Sequence, residues 1–67
     1  MVDVKILVLP EKTCFNTQAP KIPNKGETIG LWSEGIWGYY DILKVSYNFD
    51  SNGVFSHVEI NVISNDY

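Results

Sequence analysis

Apolar residues recur at every second position in this chain. No window carries the i, i+3, i+4, i+7 spacing of an amphipathic helix over three turns. That periodicity confines the chain to strands and turns. Val2, Val4, Ile6 and Val8 alternate with Asp3 and Lys5, so a first strand has one apolar face. Its other face becomes apolar at Leu7 and Leu9, and Pro10, which has no ladder donor, ends it. Residues 10–27 hold all three prolines and read as a long connection, pinned by Phe15 and Ile22. The stretch Pro23-Asn24-Lys25-Gly26 carries turn chemistry.

Residues 28–49 read as two strands joined by a two-residue turn at Glu34-Gly35. That register sets Trp32 opposite Trp37, Leu31 opposite Gly38 and Ile29 opposite Tyr40. It also sets Tyr39 across from Gly30, where an aromatic ring fills the space of a missing side chain. A last hairpin turns at Asp50-Ser51-Asn52-Gly53. A four-residue loop there pairs Phe49 with Val54, Tyr47 with Ser56, Val45 with Val58 and Leu43 with Ile60. It also sets Lys44 opposite Glu59 and Ser46 opposite His57. Strict alternation puts Asp41 on the core face, and a β-bulge between Ile42 and Val45 removes that conflict. Tyr40 and Ile42 then point inward, Val45 and Tyr47 continue the core, and Trp32, Trp37 and Tyr39 share the outer face.

Size sets the next limit. At 67 residues folding buries only about 60% of the unfolded chain's surface, so the fold is marginal without help. Cys14 is the single cysteine and forms no internal bridge. With His57 as the single histidine, a four-ligand zinc site is excluded. An idealised core or self-association remains as the source of stability.

The chain has five lysines, no arginine and eight carboxylates, for a net charge of −3. Without the bidentate arginine reader and with a negative field, duplex nucleic acid is disfavoured as a partner. No unbroken apolar run approaches a membrane span of about 18 residues. The start, Met1-Val2-Asp3-Val4-Lys5, lacks a basic lead before an apolar stretch. One unpaired cysteine fits a reducing compartment, so the expected location is cytoplasmic.

The order Ile22-Pro23-x-x-Gly26-Glu27-x-Ile29, a short hairpin, Tyr40-x-Ile42-x-x-Val45-x-Tyr47 and an apolar last strand resembles a group of very small phage and bacterial proteins of unknown function. Those proteins are SH3-like β-barrels. The resemblance covers about residues 1–63 and implies an all-β fold. The expected architecture is one domain over residues 1–67: a small SH3-like antiparallel barrel of four to five strands, with a long first loop and a polar tail at 64–67. No catalytic residue or cofactor follows from the resemblance.

Chemistry is sparse. Ser46, His57 and Glu59 have the residue types of a triad, but an open strand face excludes no water and supplies no oxyanion donors, so a solvated face is expected. Glu27, Glu34 and Asp41 read as surface carboxylates. Cys14 reads as a half-buried structural thiol. The constellation that carries a function is aromatic: Trp32, Trp37 and Tyr39. It is either core or an exposed interface patch.

The leading class is a non-enzymatic binding or assembly module, self-associating or docking a protein through the aromatic hairpin or a strand edge. A second class is a phage-encoded protein that sequesters a small nucleotide signal. A base would stack on Trp32 or Trp37, with Lys25 or Lys21 facing phosphate. A third is a single-stranded nucleic-acid binder, which the acidic balance disfavours.

Overall fold

The computed structural model describes every residue except Glu34, Asp66 and Tyr67, and Ser33 by its backbone alone. Five strands form one sheet: β1 (Val2–Leu9), β2 (Thr13–Ala19), β3 (Thr28–Ser33), β4 (Ile36–Phe49) and β5 (Phe55–Ser64). Their order across the sheet is β2-β1-β5-β4-β3. The sheet curls into a barrel-like half-shell with β2 and β3 at its edges. The fold is all-β, and no helix among the described residues is long and apolar enough to cross a membrane.

The concave face holds the core. Val4, Ile6 and Val8 of β1, Ile42 of β4, and Val58, Ile60 and Val62 of β5 are buried. All seven are β-branched, the residue type that packs best on a pleated surface. Phe15, Ile22, Ile29, Leu31, Tyr40 and Val45 pack around them, so Phe15 and Ile22 do pin the first connection.

The bulge lies where the Asp41 conflict demands one. Ile42 pairs with Val62 and Lys44 with Asn61, leaving Leu43 as the extra residue. Ile42 is 2% exposed, Tyr40 packs against the core, and Asp41 turns to the outer face. There the Oδ1 of Asp41 accepts hydrogen bonds from Thr28 Oγ1 (3.0 Å) and Asn65 Nδ2 (2.8 Å).

Four expectations are corrected. First, residues 10–27 are not all connection, because 13–19 form β2. Its concave positions, Thr13, Phe15, Thr17 and Ala19, hold one large apolar residue, which suffices at an edge paired only to β1.

Second, the sheet is not antiparallel throughout, since β1 and β5 run parallel. The outer-face Leu7 and Leu9 suit β1 to an interior position with strands on both sides.

Third, the last hairpin has another register. Asp50 N–H donates to Val54 O (2.9 Å), Gly53 N–H to Asp50 O (3.0 Å), and Gly53 has φ +77°. The loop is therefore three residues with glycine in the left-handed position. The Oδ1 of Asp50 fastens it by accepting from Asn52 N–H (2.9 Å) and Val54 N–H (3.0 Å). Phe49 pairs with Phe55, an irregularity follows, and Val45 pairs with Ile60 rather than Val58, Lys44 with Asn61 and Ser46 with Glu59. The net slip is two residues, which preserves both faces. Tyr47 lies opposite Val58 yet is exposed, at the open end of the half-shell.

Fourth, the polar tail does not start at 64. Ser64 ends β5, and Asn65 N–H donates to Tyr39 O (2.9 Å).

Candidate functional site

Hairpin β3–β4 builds the site. Its register is the expected one: Ile29 with Tyr40, Gly30 with Tyr39, Leu31 with Gly38, Trp32 with Trp37. Of its turn, Glu34 lies outside the described residues and Gly35 has φ +78°. At the other end of β3, Glu27 O accepts from Ile42 N–H (2.9 Å) and Gly26 N–H donates to Ile42 O (3.0 Å). Gly26, at φ +90°, and Glu27 together oppose Ile42, a glycine-led bulge that locks the register.

Counting from the Glu27–Ile42 pair, hydrogen-bonded and non-hydrogen-bonded pairs alternate. Thr28–Asp41, Gly30–Tyr39 and Trp32–Trp37 are the non-hydrogen-bonded pairs, in which side chains approach most closely. All three lie on the outer face.

The aromatic rings form a row. The centroids of Trp32 and Trp37 are 5.9 Å apart at 65°, and those of Trp37 and Tyr39 5.9 Å apart at 85°. Both contacts are edge-to-face, the arrangement the ring quadrupole favours. The Trp37 indole also lies over Gly30: a Cβ built there would come within 2.3 Å of its ring. The ring that fills the glycine gap is thus the diagonal neighbour Trp37, not the directly opposed Tyr39. Gly30→Ala is expected to lift the Trp37 indole off β3 while leaving the sheet folded. The measurement is acrylamide quenching of tryptophan fluorescence, which should rise. Unchanged quenching and an unchanged indole circular-dichroism couplet would show that Trp37 does not depend on Gly30.

Trp32 is 64% exposed, Trp37 48% and Tyr39 49%, so the row is a surface and not core. Ile36 and Ile63 are also exposed, and Ile63 shares the outer face with the rings by register. An apolar surface built from Trp and Tyr has the composition of an interface centre.

Lys25 is not part of that row. It is exposed in the turn before β3, and from Thr28 to Trp32 alone the strand advances about 13 Å.

The other candidates do not assemble a triad, since His57 bonds its own neighbour. His57 Nδ1 is 2.9 Å from Ser56 Oγ, while Ser46 lies opposite Glu59 and His57 opposite Asn48. Glu27 Oε1 accepts the Asn24 N–H, closing the turn 24–27, and so acts structurally. Cys14 is exposed rather than half-buried. Among the described residues no three His, Cys, Asp or Glu side chains gather to hold a metal ion. A shallow depression of about 440 Å³ is lined by Asp3, Lys5, Asn16, Gln18 and His57, with Val4 and Thr17. It is open, and lies at the start of β5 away from the rings.

Sequence reasoning missed a second aromatic contact. Phe49 and Phe55 meet edge-to-face with centroids 5.8 Å apart, next to exposed Tyr47 and Val54. The four-residue loop had set Phe49 against Val54; reading Gly53 as the left-handed residue of a three-residue loop brings Phe55 opposite. Comparison with protein-family models, with curated proteins and with solved structures found no match, so the site is read from its own geometry.

Proposed function

We propose that the protein is a non-enzymatic binding and assembly module that associates with itself through the outer face of hairpin β3–β4. The observation that carries this reading is the exposed row Trp32–Trp37–Tyr39. With seven buried core residues among those described, the protein leaves its two tryptophans largely in water, and association removes them from it. The single free thiol is compatible with work in the cytoplasm. A nucleotide-sequestering role is less favoured within one copy, since Lys25 and the rings lie at opposite ends of β3. Net charge −3 without arginine opposes phosphate-driven binding of single strands.

The test is sedimentation velocity with acrylamide quenching over a dilution series. Association on this face requires tryptophan protection that fades on dilution as the sedimentation coefficient falls to the monomer value. Monomeric mass with strong quenching at every concentration would overturn it.

A further inference from the structure

We infer that the β3 edge pairs with β3 of a second copy, antiparallel, about a twofold axis through Gly30. This rests on the self-association proposed above and specifies its geometry.

The argument begins with backbone direction. The carbonyl of Glu27 faces β4, where it accepts from Ile42 N–H. Alternation then turns the amide groups of Ile29, Leu31 and Ser33 toward β4 and those of Thr28, Gly30 and Trp32 outward. β3 ends the sheet, so the outward groups face no strand among the described residues. An antiparallel partner must match outward residues with outward residues. A second β3 does so when Gly30 meets Gly30 and Thr28 meets Trp32. The same strand thus supplies both sides of the ladder, as an isologous contact requires.

Side chains agree with that register. On the concave face Ile29 meets Leu31 of the second copy, and both already pack against the core of their own chain. The apolar stripe then runs unbroken from one half-shell into the next. On the outer face the axis passes between two glycines, so no Cβ separates the two ring rows, and each Trp32 leans over Thr28 of the other copy. β3 carries no charge and no proline from Thr28 to Ser33, the devices that usually blunt an edge. The opposite edge, β2, exposes Thr13, Cys14, Asn16, Thr17 and Gln18, four of the five polar, and is a poorer candidate.

The available area fits a reversible contact. From their exposures, Trp32, Trp37 and Tyr39 offer on the order of 300–400 Å² of outer face per copy. Two copies therefore stay below the roughly 1,000 Å² at which stable specific interfaces begin, in the range of a weak, reversible contact.

The test is a mixed sample of ¹³C-labelled and unlabelled protein, at a concentration where sedimentation shows association, read by isotope-filtered NOE spectroscopy. Ile29 and Leu31 form non-hydrogen-bonded pairs across the axis, in which Hα atoms face each other. An intermolecular Hα–Hα cross-peak between Ile29 and Leu31 is the expected result. Association with intermolecular contacts among the rings alone would overturn the strand pairing and leave the proposed function standing. Contacts from β3 to β2, with mass growing without limit, would overturn the twofold. A monomer at every concentration would overturn both.

Discussion

Ile60→Ala is expected to remove most of the protein's stability. Ile60 is 1% exposed and lies on β5 between Ile6 of β1 and Val45 of β4, at the centre of the concave face. Removing its three terminal carbons costs about 2–5 kcal/mol, transfer and cavity terms together. A single core of this size supplies roughly 3–5 kcal/mol in all. Among the described residues no second layer closes over the half-shell, and the six other buried ones are also β-branched, with few rotamers to collapse into the gap. The measurement is urea unfolding at fixed protein concentration, because association adds concentration-dependent stability. The midpoint should fall by more than half, and Ile60→Val should cost about 0.5–1.5 kcal/mol. A loss under about 1 kcal/mol for Ile60→Ala would mean that the core is not centred on β5.

Trp32→Ala should have the opposite profile, with the fold retained and association lost. Trp32 is 64% exposed on the outer face and makes no part of the buried core. A tryptophan at an interface centre typically costs at least 2 kcal/mol when truncated, about 30-fold in affinity. A symmetric contact loses two rings per dimer, so the dissociation constant should rise by about 30-fold or more. Sedimentation equilibrium reads the loss, and a dispersed amide spectrum reports the fold. Lys44→Ala, exposed elsewhere along β4, is the matched control and should leave association unchanged. Equal association by both variants would remove the ring row from the interface. Loss of amide dispersion in Trp32→Ala would make Trp32 a structural residue.

Much of this architecture is legible in the residues, for reasons that also explain what is not. Hairpin β3–β4 is legible because Gly35 marks its turn and the Trp32–Trp37 and Ile29–Tyr40 pairs match across the strands. The bulge at Leu43 was forced by Asp41, a carboxylate that strict alternation would have buried. β2 escaped notice because an edge strand needs little apolar patterning, and Phe15 alone is a thin signal. The β4–β5 register failed over one glycine. With Gly53 left-handed the loop closes at Val54, and a second irregularity before Phe49 slips the ladder again. The parallel β1–β5 pairing is a long-range choice among apolar strands, which local patterns do not encode. Whether the two tryptophans were core or surface was open, because alternation says which residues share a face but not which face is covered.

The length of β4 has a consequence of its own. Its 14 residues run through both hairpins, in a molecule 42 Å long. One end carries Trp37 and Tyr39 on the outer face, the other Phe49 against Phe55, with the Leu43 bulge between them. The strand therefore holds two exposed aromatic clusters at a fixed separation. Substitutions at Trp32 and at Phe55 lie too far apart to share partners, and their effects should add. A pair of copies joined at β3 would leave two such far ends free at a fixed spacing. Were those far ends to contact a target with matching sites, the second contact would form at high effective concentration.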